Sequence, residues 1–246
     1  MTGLYRIAER NIRIVSLHAA VHDYCRDYRA QGEPDFTVET GEAEIARERA
    51  LAAREDLRAG REPRPYGDAY LEQLAVYRAI AERMPQFDTL LVHGSALAVD
   101  GEGYLFTAPS GTGKSTHARL WRELLGERAV TLNDDKPLLR VGAEGVTVYG
   151  TPYDGKHRLS RNAAAPLKAL CLLERGAENR IEQVTPGEIY TLLLQQVYRP
   201  ADPAALAAAL RLLDGLLSSV RLYRLRCTPE PAAAQLAYAV MKGRET

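Results

Sequence analysis

Residues 108–115 read Ala-Pro-Ser-Gly-Thr-Gly-Lys-Ser, and this stretch decides the fold of the chain. It follows the apolar run GYLFT at 103–107 and precedes THARLW at 116–121, whose composition favours a helix. Strand, glycine-rich loop, Gly-Lys-Ser and helix is the order in which a chain wraps its backbone around the phosphates of a nucleotide. The usual pattern begins with glycine, and Ala108 stands in that position here.

Each residue type in this loop suits an anionic ligand. Gly111 and Gly113 permit a positive φ, which brings backbone N–H groups close to phosphate oxygens. Lys114 supplies positive charge to the β- and γ-phosphates, and the Ser115 hydroxyl is a ligand for Mg²⁺. A helix that begins near Ser115 points its positive end at the same anion. Ala108 excludes only a conformation that needs a positive φ at that residue.

The alternative is a glycine-rich turn with an incidental lysine, which the position between strand and helix disfavours. The residues predicted to contact the nucleotide are Ser110, Gly111, Thr112, Gly113, Lys114, Ser115 and Thr116.

An acidic pair, Asp134-Asp135, directly follows the apolar run AVTLN at 129–133. One carboxylate there can hold Mg²⁺, directly or through water, and its neighbour can accept the proton of an attacking hydroxyl. Neighbouring residues of a strand point to opposite faces, so both carboxylates serve one site only if the strand ends there. Lys136-Pro137 predicts that it does. The alternative is an Asp-Asp turn without chemistry.

Two further features lie close to these in the chain. His93 closes the apolar run 89–93 and can reach the same sheet edge, although such a histidine is otherwise an ordinary core residue. The turn-rich loop GTPYDGKHR at 150–158 carries Lys156 and Arg158, cations that can stabilise charge on a transferred phosphoryl group. An ordinary basic loop is the alternative.

The remaining histidine and cysteine candidates are weaker. His18 and His22 have the i, i+4 spacing of a helical metal site, but no third ligand is evident, so we expect surface histidines. Cys171 lies in an apolar run and is expected in the core. Three widely spaced cysteines form neither a disulfide framework nor a zinc pattern, which favours a reducing, cytoplasmic compartment.

Length and charge exclude several classes of protein. The 246 residues suffice for one large domain, or for one domain plus a smaller lobe. Lys and Arg number 32, as do Asp and Glu, and this balance argues against a nucleic-acid partner. The N-terminus is too charged for a signal peptide. The sequence has no apolar run of about 18 residues, the length of a membrane-spanning helix, so we expect no membrane partner.

Periodicity predicts a series of short elements along the chain. The N-terminal part is expected to hold one or two strands in 4–17, a strand in 35–41, a solvated helical segment in 42–64 that ends in a linker, and an amphipathic helix over 68–84. The rest is expected to hold apolar runs at 89–93 and 96–99, an Asp100-Gly101 hairpin, strands at 104–107, 129–133, 146–149, 167–173 and 222–227, and helices over 186–198, 202–217 and from 229 onward.

These motifs together resemble the HPr kinase/phosphorylase-like family, which belongs to the phosphoenolpyruvate-carboxykinase type of P-loop fold. The resemblance rests on LLVHGSALAVDGEGYLFTAPSGTGKSTHARLW at 90–121, LNDD at 132–135 and GTPYDGK at 150–156. His-Gly, Gly-Lys-Ser and Asp-Asp follow one another in the family's order and approximate spacing. The matching region covers about residues 90–175.

The resemblance implies a role for each matching residue. Lys114 would bind the β- and γ-phosphates, and Ser115 and Asp134 would hold Mg²⁺. Asp135 is favoured as the base that deprotonates a serine-type hydroxyl, and His93 would hold or tune the acidic pair. The implied fold is α/β, with a phosphoenolpyruvate-carboxykinase-type P-loop nucleotide-binding core and mixed β-sheet over 86–246, helical in its C-terminal part. A smaller N-terminal α+β lobe would occupy 1–85.

The implied activity is transfer of the γ-phosphoryl group of ATP, with Mg²⁺, to a hydroxyl of a small molecule or of a serine in a peptide or protein. The segment GTPYDGK and the C-terminal residues 176–246 depart from the family's regulatory kinase, so the chain looks more like the family's shorter relatives. A homo-oligomer is left open, as is the use of pyrophosphate. Two alternatives are a non-catalytic nucleotide-binding regulatory module and a carboxykinase-type lyase acting on oxaloacetate.

Overall fold

The computed structural model describes residues 1–155 and 158–243. The chain divides into two units, Met1–Arg83 and Met84–Thr246. In the described residues no helix combines the length and apolar character needed to cross a bilayer.

The first unit is a small sheet with helices. Its elements are β1 (Thr2–Ile7), β2 (Arg10–Val15), α1 (Ala19–Tyr24), β3 (Phe36–Glu39), α2 (Glu42–Arg58) and α3 (Asp68–Arg83). Strand β2 pairs antiparallel with β1 and parallel with β3. The strands predicted in 4–17 and 35–41 and the helix predicted over 68–84 are confirmed, whereas α1 was not predicted. The predicted solvated segment 42–64 is helical as far as Arg58, but Glu48 and Asp56 within it are buried.

A fully buried carboxylate, Glu72 on α3, holds two loops of this unit. It accepts hydrogen bonds from the backbone N–H groups of Leu17 (2.7 Å) and His18 (2.8 Å) and from the hydroxyl of Thr40 (3.0 Å). The Nδ1 atom of His18 lies 2.7 Å from the same carboxylate. Burial raises the pKa of Glu72, but these hydrogen bonds outweigh burial and leave the pKa below its ordinary value.

The expectation of two surface histidines is wrong. His18 is only partly exposed and pairs with Glu72, and the His22 ring lies between the Tyr5 hydroxyl (2.8 Å) and the Ser16 hydroxyl (3.0 Å). The i, i+4 spacing reflects two separate structural contacts, because each ring is occupied by its own partners.

The second unit is built on a large mixed sheet. Its strands are β4 (Thr89–Leu91), β5 (Gly94–Val99), β6 (Glu102–Thr107), β7 (Ala129–Asn133), β8 (Leu138–Gly142), β9 (Gly145–Tyr149), β10 (Ala164–Arg175), β11 (Arg180–Gln183) and β12 (Arg221–Cys227). Its helices are α4 (Lys114–Leu125), α5 (Pro186–Leu194), α6 (Pro203–Ser219) and α7 (Pro231–Met241).

The strand order is β4-β8-β9-β10-β6-β5-β7, with β12 beside β10 and β11 beside β12. The long strand β10 pairs antiparallel with β9 at its start and parallel with β12 further along, while its other edge runs parallel to β6. Strand β10 therefore changes partner along its length. The α/β class and the mixed sheet predicted from the sequence are confirmed.

Helices cover both faces of the sheet. Successive residues of a strand point to opposite faces, so each strand contributes to a core on either side. On β6, Leu105 packs in a cluster that includes residues of α5 and α6. Tyr104 and Phe106 pack on the other side with Trp121 of α4 and with residues of α7. Cys171 belongs to this second cluster and is fully buried, as predicted.

The remaining differences from the predicted elements lie in the second unit. The predicted strands and the Asp100-Gly101 hairpin are present, but β8 and β11 were not predicted. The helix predicted over 186–198 ends at Leu194, because the chain beyond it pairs with the segment before β5. There the N–H of His93 donates to the Gln196 carbonyl (2.7 Å), and the N–H of Tyr198 donates to that of Leu91 (2.9 Å).

Replacing Glu72 with glutamine tests the buried carboxylate of the first unit. We expect Glu72→Gln to lower the free energy of unfolding by about 1–3 kcal/mol at pH 7. The glutamine NH₂ group is a donor, and it would replace a carboxylate oxygen that accepts from N–H and O–H donors. Urea denaturation followed by circular dichroism measures this change. The pKa of Glu72 is lowered in the folded state, so its stabilisation is complete above the unfolded-state pKa and is lost as the pH falls through the folded-state value. The difference between the two proteins should therefore shrink in acid.

The matched control for this substitution is Glu55→Gln on the exposed face of α2. It should leave the unfolding curve unchanged at every pH. Equal stability of Glu72→Gln and the wild-type protein at pH 7 would contradict the assigned role.

Candidate functional site

The strand order brings three separate segments to one edge of the sheet. Strand β5 runs antiparallel to both β6 and β7, so its start lies beside their ends. The register places Gly94 opposite Thr107 and Ala96 opposite Asn133. His93, the loop that begins at Ala108 and the acidic pair therefore emerge at the same edge.

The loop between β6 and α4 has the backbone that its glycines predict. Gly111 has a φ of 79° and Gly113 a φ of 124°, whereas Ala108 is fully buried and does not take a positive φ. A glycine is therefore not required at 108. Gly113 is the N-cap of α4, and no described side chain caps this helix, so its first N–H groups remain available to an anion.

The Lys114 side chain is buried at the base of the loop. Its ammonium group donates to the carbonyls of Ala108 (2.9 Å) and Pro109 (3.4 Å), which leaves one of its three N–H donors for a ligand. Burial lowers the pKa of Lys114, and the charges of Asp135 and Asp134 partly oppose this shift. The lysine and the acidic pair therefore share one electrostatic environment.

Asp134 is 8% exposed, and its Oδ1 atom accepts a hydrogen bond from the Ser95 hydroxyl at 2.8 Å. Asp134 and Ser115 line one cleft of about 380 Å³. The cleft is also lined by Thr116, Arg119, Arg122 and Leu159. A carboxylate and a hydroxyl are hard oxygen donors of the kind that Mg²⁺ prefers, and phosphate oxygens and water complete such sites. The donor set fits a magnesium ion whose remaining ligands are phosphate oxygens and water.

Asp135 lies between a lysine and a histidine. Its Oδ2 atom is 2.5 Å from the Lys136 ammonium, and its Oδ1 atom is 3.5 Å from the His93 Nε2. The other ring nitrogen, Nδ1, is 3.1 Å from the Gln196 Oε1 and donates its proton to it. Burial and the charge of Lys114 lower the pKa of His93, against the opposing charge of Asp135. The lowered pKa favours the neutral ring, whose Nε2 faces Asp135.

Asn133, at the end of β7, organises the acidic turn. Its Oδ1 atom accepts from the N–H groups of Asp135 (2.8 Å) and Lys136 (2.6 Å). Its amide nitrogen lies 2.9 Å from the Thr151 Oγ1 and 3.3 Å from the Tyr153 carbonyl. Sequence reasoning missed this residue, although an asparagine before an acidic pair at a strand end is typical of an Asx turn.

The loop that follows β9 closes over the same turn. A Cβ atom at Gly150 would lie 1.9 Å from the Arg161 carbonyl oxygen and 2.6 Å from that of Leu132, so only glycine fits. Further along, a Cβ atom at Gly155 would lie 3.5 Å from the Asp134 Oδ2. The loop therefore passes directly beside the acidic pair.

The two cations predicted in this loop have different outcomes. Lys156 lies outside the described residues. The Arg158 side chain is exposed, and its backbone has a φ of 48° with the N–H donating to the Gly155 carbonyl at 3.2 Å. The structure thus brings together His93, Lys114 and the acidic pair. The contact of Arg158 with a phosphoryl group stays a prediction.

Comparisons with known proteins find a similarity to solved structures. No protein-family model matches the sequence, and no curated protein matches it. Among solved structures, the chain is similar to the Hpr(Ser) kinase/phosphatase from Coxiella burnetii, with a TM-score of 0.33 and 10% sequence identity. The similar region covers 62% of this chain and 92% of that protein.

Replacing Asn133 with alanine tests the organisation of the acidic turn. We expect Asn133→Ala to lower the free energy of unfolding by about 1–3 kcal/mol, because buried N–H and C=O groups lose their partners. Limited proteolysis should then cleave first within residues 150–162. Asn133→Asp keeps the acceptor for the turn but removes the donor to the loop, so it should show the proteolysis without the full loss of turn geometry. Wild-type stability and proteolysis in both variants would contradict this role.

Adding a single methyl group at Gly150 tests the close approach of the loop. We expect Gly150→Ala to lower the free energy of unfolding by about 1–3 kcal/mol, because the methyl group overlaps two carbonyl oxygens. The control is Gly187→Ala in α5, where the added atom meets nothing within 4 Å. That variant should be neutral or slightly more stable. Thermal denaturation compares the two, and an equal effect would disprove the steric argument.

Proposed function

We propose that this chain is an ATP- and Mg²⁺-dependent kinase that transfers the γ-phosphoryl group to a hydroxyl acceptor, either on a small molecule or on a serine of a peptide. The observation that carries the proposal is the meeting of Lys114 with Asp134 and Asp135 at one sheet edge, beside a glycine-rich loop that begins a helix. A P-loop kinase related to the HPr kinase/phosphorylase-like family needs this set of groups.

The loop residues would hold the triphosphate. The positive φ angles at Gly111 and Gly113 turn the backbone around the anion, and the free N–H groups at the start of α4 add the positive end of the helix dipole. The Lys114 ammonium, already drawn toward the loop carbonyls, would turn its remaining N–H toward the β- and γ-phosphates. Ser110, Thr112 and Thr116 complete the proposed contacts.

Ser115 and Asp134 would hold the magnesium ion. Ser95 donates a hydrogen bond to one oxygen of Asp134, and Asp134 lines the cleft that Ser115 shares. When bound, Mg²⁺ neutralises charge on the phosphates and on the leaving group. Arg119 and Arg122 line this cleft as well, and sequence reasoning did not find them.

Asp135 would act as the general base. As the acceptor oxygen bonds to the γ-phosphorus, its O–H bond breaks and the proton passes to the Asp135 carboxylate, while the bond from that phosphorus to the β,γ-bridging oxygen breaks and ADP leaves. The Nε2 lone pair of His93, 3.5 Å from Asp135, can share the accepted proton. Lys136 holds the second oxygen of Asp135 and so orients the carboxylate. Lys156 and Arg158 remain our proposed stabilisers of the transferred group.

Phosphoryl transfer from Mg-ATP to a library of hydroxyl metabolites and serine-containing peptides tests the function. We expect one acceptor class to give a phosphorylated product, and the Asp134→Asn/Asp135→Asn double variant to lose roughly 10²–10⁴-fold in rate, the usual contribution of a general base. The matched control is Asp214→Asn on the exposed face of α6, which should keep the wild-type rate.

Two results would overturn this proposal. One is an unimpaired rate in the double variant. The other is tight ATP binding without product from any acceptor, which would instead favour a regulatory module.

A further inference from the structure

The sheet of the first unit has one covered edge and one open edge. Its strand order is β1-β2-β3. The chain itself covers the β1 edge, because Tyr5 forms a bridge with Arg29 and the N–H of Ala30 donates to the Leu4 carbonyl at 3.0 Å. Within residues 1–155 and 158–243, β2 is the only strand that pairs with β3. Along residues 37–39 the outer edge therefore presents backbone groups to which a further strand can pair.

The sequence of β3 lacks the devices that usually protect an open edge. Proteins blunt such edges with proline, lysine or a β-bulge. The strand reads Phe-Thr-Val-Glu, and its register with β2 runs without a shift. Its first three residues are of types that favour strands. The edge therefore suits the addition of another strand.

A cleft of about 330 Å³, the β3 cleft, lies against this edge. Thr37, Val38 and Glu39 line it from the strand, and the rest of its lining comes from α2 and α3. Ala75 and Ala79 recur at i and i+4, so they share one face of α3 and contribute only methyl groups to the lining. A strand edge beside a helix, with room between them, is an arrangement that binds extended peptides by strand addition.

We infer that the β3 cleft binds an extended peptide that adds a strand to β3, and that the acceptor in the proposed reaction is a hydroxyl of a peptide rather than of a small molecule. The docking is independent of the chemistry, whereas the choice of acceptor rests on the proposed function. A peptide held by one segment raises the effective concentration of its other segments, so the docking segment need not contain the acceptor serine.

The charges of the lining indicate which peptide fits. The lining carries four carboxylates and three guanidinium groups, and Arg78 donates to Glu48 at 3.0 Å. Glu39 lies on the solvent face of β3, because Val38 is buried and Glu39 is exposed. A lysine or arginine opposite Glu39 on the added strand forms a cross-strand pair of opposite charge. The residues on either side of that cation point to the other face, toward the alanines of α3, and are apolar.

An array of short peptides in which apolar residues alternate with lysine or arginine tests the docking on the intact wild-type protein. Fluorescence anisotropy measures the Kd of the tightest binder. We expect N-methylation of one alternate set of its backbone amides to raise the Kd about tenfold, and N-methylation of the other set to change it less than twofold, because only one edge of an added strand faces β3. Absence of a binder, or equal effects of the two sets, would overturn the inference.

A tryptophan on α3 tests the place of binding. We expect Ala79→Trp to raise the Kd of the same peptide about tenfold, because the indole fills the β3 cleft. Ala46→Trp, at an exposed position of α2 outside the cleft lining, is the matched control and should leave the Kd unchanged. Wild-type affinity in a folded Ala79→Trp would contradict the inference. The N-methylated peptides decide the question if this variant does not fold.

A reversal of charge tests the pairing with Glu39. We expect Glu39→Lys to weaken binding of the basic peptide about tenfold and to bind the same peptide more tightly once its basic residues are replaced with glutamate. Equal weakening of both peptides would contradict the assigned pairing.

Sedimentation and phosphoryl transfer distinguish the remaining outcomes. A wild-type dimer that Ala79→Trp dissociates would assign the cleft to a second copy of the chain and overturn the peptide. We expect a serine linked to the docking segment to be phosphorylated faster than the same serine peptide without it, and Ala79→Trp to abolish the difference. Docking without phosphoryl transfer to any acceptor would overturn the proposed function and leave the docking site. Transfer to small molecules without peptide docking would overturn this inference and leave the proposed function.

Discussion

The buried amide of Asn133 is the contact on which the rest of the site depends. At the end of β7 the backbone N–H groups of Asp135 and Lys136 leave the sheet, and buried groups of this kind need partners. The Asn133 oxygen accepts from both, while its nitrogen donates to Thr151 and to the Tyr153 carbonyl. One side chain therefore sets the direction of the acidic pair and fixes the loop that passes over it.

The same edge of the sheet is tied together by short polar contacts between neighbouring strands. The Thr107 hydroxyl donates to the His93 carbonyl at 2.9 Å, and Ser95 donates to Asp134 at 2.8 Å. These bonds position charged groups that burial alone would destabilise. The Lys114 ammonium is buried near two carboxylates, and such charges remain ionised inside a protein only when they are paired. Burial lowers the pKa of Lys114, and the charges of Asp135 and Asp134 oppose that shift.

The sequence predicted the parts of this site whose signal is local. The glycine-rich loop, the acidic pair and His93 each follow or precede an apolar run, and that order alone predicted their positions at strand ends. Strand β11 was not predicted, because Arg180–Gln183 is mostly polar and lacks the apolar pattern of a strand. It pairs with β12 at the edge of the sheet. The contact of Gln196 with His93 was not predicted, because the two residues lie 103 positions apart in the sequence. This long-range pairing also ends α5 earlier than its periodicity indicates.

The arrangement around α4 follows from the geometry of a single helix start. A helix advances 100° per residue, so residues one position apart, such as Ser115 and Thr116, face different sides, while residues three or four apart face the same side. A ligand bound at the first turn of α4 would therefore meet two different faces of the helix. The side that begins with Ser115 carries oxygen donors and guanidinium groups, which suit a metal and anionic groups. The side that holds His117 and Leu120 is mostly apolar. Because the two chemistries differ by position on one helix, a ligand charged at one end and apolar at the other has only one orientation in which both ends are satisfied.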